Sequence, residues 1–229
     1  QLLTPNGGEV VEANTNYEIT WQEINGDGGG AQWVKLEYSE DAGSSWNSII
    51  DSTANDSSYT WLVPDTFSEQ CLVRVSDFEV PDSVNDVSDA VFVINHKPTS
   101  ADTTVSTNED VDYVFSGADF PFSDADGGDA LAKVKITGLE TVGQLYVDAN
   151  TNGVVDGGEE VALNQEIVLA DLSKLKFKPV ADSSGAPYDS LKFKVSDGKN
   201  YSENEYTMTV DVNAQDDAPH VANPIADVT

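Results

Sequence analysis

The sequence predicts an all-β chain folded as two tandem antiparallel β-sandwich domains. Three observations point there. Apolar residues alternate with polar ones at period two and do not recur at helical spacing. Clusters of Gly, Asn, Asp and Ser interrupt these runs at roughly ten-residue intervals, the rhythm of short strands joined by turns. The chain has 229 residues, 39% hydrophobic and 23% charged, enough for two domains of about 100–120 residues, each with a core of its own.

The first domain is expected over 1–95. It is entered by Thr4-Pro5-Asn6-Gly7-Gly8-Glu9 and closed by Ala90-Val-Phe-Val-Ile94. Between them, Tyr17-Glu-Ile19-Thr-Trp21, Val34-Lys-Leu36-Glu-Tyr38, Tyr59-Thr-Trp61-Leu-Val63 and Leu72-Val-Arg74-Val75 read as strands. The single cysteine, Cys71, rules out an internal disulfide and reads as a small core residue. In the second domain, over 96–217, Ala132-Lys-Val-Lys-Ile136, Leu175-Lys-Phe-Lys178 and Leu191-Lys-Phe-Lys-Val195 alternate apolar residues with lysine. One face of each strand enters the core, and the lysines, with Lys174, form a wet basic belt that guards sheet edges.

A repeated junction sets the boundaries. Asn95-His96-Lys97-Pro98 precedes Ala101-Asp102, and Asp216-Asp217-Ala218-Pro219 precedes Ala226-Asp227, with the prolines 121 residues apart. Residues 218–229 therefore read as a linker and the first strand of a further module. No stretch approaches the ~18 apolar residues of a membrane span. Gln1 opens directly on domain sequence, as expected either of an exported protein stripped of its leader or of a piece that never held one.

Charge narrows the partners. Against 11 Lys+Arg stand 41 Asp+Glu, a formal net charge of −30, and a split at residue 95 leaves −15 on each side. Such a surface repels phosphate backbones and anionic lipid, so neither nucleic acid nor direct membrane insertion is expected. It suits divalent cations, and equally a surface made acidic for solubility.

The sharpest motif is Asp148-Ala-Asn150-Thr-Asn152-Gly153-Val154-Val-Asp156-Gly-Gly-Glu159. It satisfies every constrained position of the twelve-residue calcium loop. Asp148, Asn150 and Asn152 supply side-chain oxygens at positions 1, 3 and 5, and Val154 a backbone carbonyl at 7. Asp156 acts at 9, directly or through water, and Glu159 binds with both oxygens at 12, while Gly153 permits the sharp turn. Leu145-Tyr-Val147 and Val161-Ala-Leu163 read as strands, so the loop is expected in a hairpin and not between helices. No Lys or Arg occurs from Ile136 to Ser173, while seven acids do.

Two further acidic groups are candidate calcium ligands. Asp124, Asp126 and Asp129 follow the domain's second strand, which places them at the pole facing the 95–98 linker, beside Asp197. The opposite pole gathers Glu109 and Asp110 against Asp216 and Asp217. Each of these residues alone also fits a solvated turn.

These motifs resemble bacterial cadherin-like repeats over nearly all of 96–219. Asn108-Glu-Asp110, Asp124-x-Asp126-x-x-Asp129, Gly143-Gln-Leu145, Leu175-x-Phe177-x-Pro179, Asp189-Ser-Leu191-x-Phe193-x-Val195-Ser-Asp-Gly198 and Asp217-Ala-Pro219 carry the likeness. It implies an Ig-like sandwich, tandem arrays on large surface proteins, and Ca2+ at the junctions. The first linker departs from the pattern, having no carboxylate and an added cation, so that junction is expected to be ion-poor. Residues 1–95 resemble a bacterial Ig/fibronectin-like repeat of secreted proteins through Pro5-Asn-Gly-Gly-Glu9, Ile19-Thr-Trp21, Tyr38-Ser-x-Asp41-x-Gly43-x-Ser-Trp46 and Trp61-x-Val-Pro64. Ser39-x-Asp41-x-Gly43-x-x-Trp46 also fits the Asp-box of sialidase-like propellers. It occurs once here, which makes it a hairpin stabiliser.

For catalysis the inventory is thin. His96 and His220 both flank linker prolines, and no nucleophile elbow, HExxH or phosphate loop occurs. The expected function is a non-catalytic, calcium-binding spacer or adhesion segment of a large bacterial cell-surface or secreted protein, acting outside the cell. Its partners would be neighbouring modules of the same chain, surface glycans or other cell-surface proteins. The alternative is a carbohydrate-binding accessory module of a secreted polysaccharide-degrading protein. All four tryptophans lie in the first domain; Trp21 and Trp61 hold core positions and Trp46 closes a hairpin, leaving Trp33 as the candidate sugar platform. A third reading pairs Val221–Thr229 with a neighbour's sheet edge.

Overall fold

Alternation of buried and exposed side chains runs through the strands that the sequence marks. The computed structural model describes residues 1–22 and 31–216. Residues 217–229, including Asp217, His220 and the expected further strand, lie outside the described residues.

The first unit contains β1 (Leu2–Thr4), β2 (Val10–Glu12), β3 (Asn16–Trp21), β4 (Trp33–Ser39), β5 (Asn47–Ala54), β6 (Ser58–Leu62), β7 (Ser68–Asp77), β8 (Asn85–Val87) and β9 (Phe92–Asn95). One sheet runs β1-β3-β6; the other runs β2-β9-β7-β4-β5, with β8 on β7. Leu2, Ile19, Trp21 and Trp61 from the first sheet pack with Leu36, Val73, Val75, Phe92 and Ile94 from the second, so the core lies between the sheets. Cys71 is a free, buried member of it.

Two sequence signatures of this unit have local causes. In Pro5-Asn-Gly-Gly-Glu9, the Glu9 carboxylate accepts the Asn6 and Gly7 N–H groups, both at 2.7 Å. Gly7 has φ +132°, and a Cβ there would lie 2.6 Å from that of Ala90, so only glycine fits this bend. In the hairpin after β4, the Ser39 hydroxyl donates to Asp41 Oδ1 at 2.7 Å and accepts the Gly43 N–H at 2.8 Å. Asp41 also accepts the Ser45 hydroxyl and N–H. These donors, Ser45 foremost, hold its carboxyl at about 2. Arg74 stacks its guanidinium 4.3 Å above the Trp46 ring.

The second unit contains β10 (Thr103–Asn108), β11 (Tyr113–Val114), β12 (Lys133–Gly138), β13 (Gln144–Val147), β14 (Glu166–Val168), β15 (Leu175–Lys178), β16 (Gly185–Ser196) and β17 (Tyr206–Asn213), with 3-10 turns at Gly117–Asp119 and Leu169–Lys174. Its sheets run β10-β17-β16-β12-β14 and β11-β15-β13. Phe115, Phe120, Ile136, Leu145, Phe177, Phe193 and Met208 fill the space between them.

The structure departs from the sequence reading in four respects. The sandwiches are not wholly antiparallel: β2 pairs β9 and β10 pairs β17 in parallel. In each unit an early strand thereby covers the edge of the last one, which would otherwise be open. Residues 161–163 form no strand; a single bridge joins Tyr146 to Glu160. The chain then turns at Asn164, φ +65°, whose N–H bonds to Ile136 O, and joins β12 as β14. The lysine belt is not bare charge, since Lys133 and Lys135 reach Glu166, Lys174 reaches Asp171, Lys176 reaches Asp148 and Lys192 reaches Glu205. Finally, residues 123–130 and 196–203 cluster with residues 1–99 and not with the second unit.

Candidate metal centres

The loop from Asp148 to Glu159 is pinned at its ends by the strand that precedes it. Val147 N–H bonds to Glu159 O at 2.8 Å, and Asp148 N–H to Lys174 O at 2.9 Å. Inside, side-chain oxygens turn onto the loop's own backbone. Asp148 accepts the Asn152 and Gly153 N–H groups, each at 3.0 Å. Asn150 accepts the Asn152 N–H, and Asn152 accepts the Val154 N–H at 2.7 Å. Glu159 takes the Ala149 and Asp156 N–H groups, one on each oxygen. Asp156 accepts both asparagine amides, Asn150 at 2.7 Å and Asn152 at 2.8 Å. Gly153 has φ +74°, the turn that position 6 requires. The donor types are all hard oxygen, which suits Ca2+ over a soft metal, but the Asp148, Asp156 and Glu159 carboxylates do not converge within 4.8 Å of one another.

A lysine joins this loop. Lys176 Nζ lies 2.6 Å from Asp148 Oδ2, and the Asp148 side chain is 1% exposed. That ammonium, with the Gly153 and Asn152 N–H groups, holds the Asp148 carboxyl below its usual range. Beneath the loop, the buried Tyr146 phenol donates to Asp112. Burial raises its pKa first, and the charges of Asp112, Asp148 and Glu159 raise it further.

The second candidate centre is carried by the segments that cluster with residues 1–99. Asp124, Asp126 and Asp129 present oxygens within 4.8 Å of one another, and among the described residues no other group of three His, Cys, Asp or Glu side chains does so. Asp197 stands beside them through Asn95, whose Nδ2 donates to Asp197 Oδ2 at 2.9 Å. Two oxygens here, Asp124 Oδ2 and Asn95 Oδ1, are buried with no hydrogen-bond partner among the described residues. Desolvation, followed by the charges of Asp126, Asp197 and Asp129, pushes the Asp124 carboxyl above its usual range. A cation held by the three aspartates would pair Asp124 Oδ2 and offset the repulsion among them.

A histidine and a lysine already share this cluster. His96 donates its N–H to Asp126 at 2.8 Å, and its ring bridges Asp126 at 2.5 Å and Asp65 at 2.7 Å. Burial lowers the His96 pKa, but these carboxylates outweigh it and the net shift is upward. Lys199 reaches both Asp129 oxygens, at 2.8 and 2.9 Å.

Two of the ligands predicted for the opposite pole hold backbone partners. Glu109 is buried and accepts the Gln215 N–H, while Asp110 accepts the Asp182 N–H at 3.2 Å. Asp216 is exposed. Among the tryptophans, Trp21 and Trp61 are core residues, whereas Trp33 is 52% exposed. Its carbonyl accepts the N–H of Phe78, itself 49% exposed. Asn55 matches a glycosylation acceptor pattern, yet its amide is engaged by Trp21 Nε1 and Ala31 O.

Reading the sequence alone overlooks Asn95 and Lys199 at the second cluster and Lys176 at the loop. Lys176 could have been found only from the register that sets β15 against β13.

No family model matches the chain, and no curated protein matches it. Among solved structures, it is similar to fibronectin(III)-like modules of Clostridium thermocellum CbhA, with 11% identity over 96% of this chain and 99% of that one, TM-score 0.35. It is similar to human protocadherin-24 EC1-2, with 11% identity over 94% and 98%, TM-score 0.30. An I-band fragment of titin aligns with 9% identity over 90% and 63%, TM-score 0.37. At these identities and scores the likeness does not extend to function; the all-β sandwich class rests on the sheets described above.

Proposed function

We propose that this chain is a non-catalytic, calcium-binding spacer segment of an exported multi-module protein. The observation that carries the reading is the buried, unpartnered oxygen Asp124 Oδ2 within a convergent carboxylate triad. A buried polar atom without a partner costs about 1–3 kcal/mol, and a hard cation held by the triad would offset that cost at Asp124 Oδ2. The loop at 148–159 supports the reading independently, through a complete oxygen set on a backbone already bent at Gly153. Calcium held at both places would tie down polar turns that a sandwich core cannot reach.

Calorimetric titration of the chain with calcium chloride tests this. Two classes of site are expected. Asp148→Ala and Glu159→Ala should each abolish one class and leave the other, and Asp124→Asn should do the converse. Wild-type protein that evolves no binding heat at millimolar calcium would overturn the proposal.

Carbohydrate binding by the first unit is a second reading, favoured by the exposure of Trp33 and Phe78 on hydrogen-bonded segments. If it is right, the chain should be retarded in affinity gels containing a soluble polysaccharide, and Trp33→Ala should remove the retardation with little change in stability. Equal mobility with and without a panel of polysaccharides would leave the spacer reading alone.

A further inference from the structure

We infer that Lys176 is a tethered counter-cation of the 148–159 loop, which calcium must displace, and that it sets how much calcium the loop requires. The inference rests on the calcium reading of that loop. Its physical basis is register. β13 and β15 run antiparallel with Val147 opposite Leu175 and Tyr146 opposite Lys176. The next residue, Asp148, continues the ladder by donating its N–H to Lys174 O. Asp148 and Lys176 are therefore diagonal neighbours on one face, within reach of a long side chain.

Among the acids of the loop, only Asp148 meets a full positive charge from a described residue. Asp156 and Glu159 are satisfied by neutral amides and backbone N–H groups. Asp148 is the position-1 ligand and almost wholly buried, so as a bare anion it would be costly. The ammonium at 2.6 Å removes that cost and lets the loop keep its bend before any metal arrives.

The same contact opposes calcium. A metal ion takes carboxylate oxygens at about 2.3–2.6 Å, drawing on the lone pairs that the ammonium now uses. Two cations held a few ångström apart on one carboxylate repel strongly at low dielectric. Binding calcium thus requires Lys176 to leave Asp148. Its side chain is 19% exposed, and its flexible stem permits a swing into water. The loop pays an exchange cost and not a folding cost. Its affinity should accordingly fall toward the ~10⁻⁴–10⁻³ M range typical of extracellular modules.

The test follows the Gly153 amide by NMR in the full chain during titration with calcium chloride. That N–H donates to Asp148 Oδ2, the oxygen that Lys176 holds, so it reports this loop and not the Asp124 cluster. Lys176→Met and Lys176→Gln should each bind calcium at least about tenfold more tightly than wild type, because net ligand charge tunes such sites. Lys176→Arg should stay near wild type. Lys174→Met, which removes an adjacent charge paired with Asp171, controls for general electrostatics and should change affinity far less. Using both neutral variants keeps the test open if one fails to fold. Tight binding by the neutral variants with none by wild type would also support displacement. If wild type binds and the neutral variants bind no more tightly than Lys174→Met, Lys176 is a structural ion pair and the inference is overturned. If Gly153 fails to shift in every variant at about 10 mM calcium, well above that range, the calcium reading of the loop falls and this inference falls with it.

Discussion

Adding calcium to the metal-free chain is expected to raise the melting temperature of the second unit by about 10 °C. Free ligand at 100 times its dissociation constant stabilises the state that binds it by about 2.7 kcal/mol. For a domain of this size, 1 kcal/mol moves the midpoint by roughly 4 °C. The loop is fastened to β13, whose Leu145 and Tyr146 are fully buried, so holding it closed protects the sheet behind it. The chain carries its own probes. All four tryptophans lie in residues 1–95, so tryptophan fluorescence follows the first unit, whereas tyrosine circular dichroism also includes Tyr113, Tyr146 and Tyr206 of the second. Glu159→Ala should abolish the shift seen through tyrosine. Identical melts in chelator and in excess calcium would refute the stabilising role.

A larger loss is expected from Phe193→Ala, about 3–5 kcal/mol. Phe193 is wholly buried. Its ring meets Phe120 edge-on, with centroids 5.0 Å apart, and lies 6.0 Å from Tyr206; Phe120 in turn packs against Phe115. Truncation removes a central member of this aromatic group and leaves a cavity that the paired strands cannot close. Against a domain stability of about 5–15 kcal/mol, the loss brings the second unit near its unfolding threshold at room temperature. Urea unfolding with tyrosine detection would measure it. A change under 1 kcal/mol would mean that the site relaxes and that the core does not depend on this ring.

Much of this was legible in the residues. The lysine-interleaved strands place Leu175, Phe177, Leu191, Phe193 and Val195 inward, as the structure has them, because period-two alternation leaves no other face for the apolar set. The loop was legible for a different reason: within twelve residues, positions 1, 3, 5, 6, 9 and 12 each carry the residue type that a calcium loop calls for. What could not be read was anything set by pairing between distant strands. The parallel ladders depend on which edge an early strand covers, and Lys176 reaches Asp148 only because β15 lies beside β13 in one register. Asn95 looked like an ordinary linker residue until folding turned its amide nitrogen onto Asp197 and buried its side-chain oxygen. The flank at 161–163 is apolar enough for a strand, but the turn at Asn164 outweighs that pattern.

The parallel ladder between Thr103–Asn108 and Met208–Asn213 has a mechanical meaning. Tension applied along the chain drags β10 toward its amino end and β17 toward its carboxyl end, in opposite directions along a shared axis. The bonds of the ladder then bear the load side by side, whereas a peeled hairpin surrenders them singly. A module fastened in this way resists stretching along the chain.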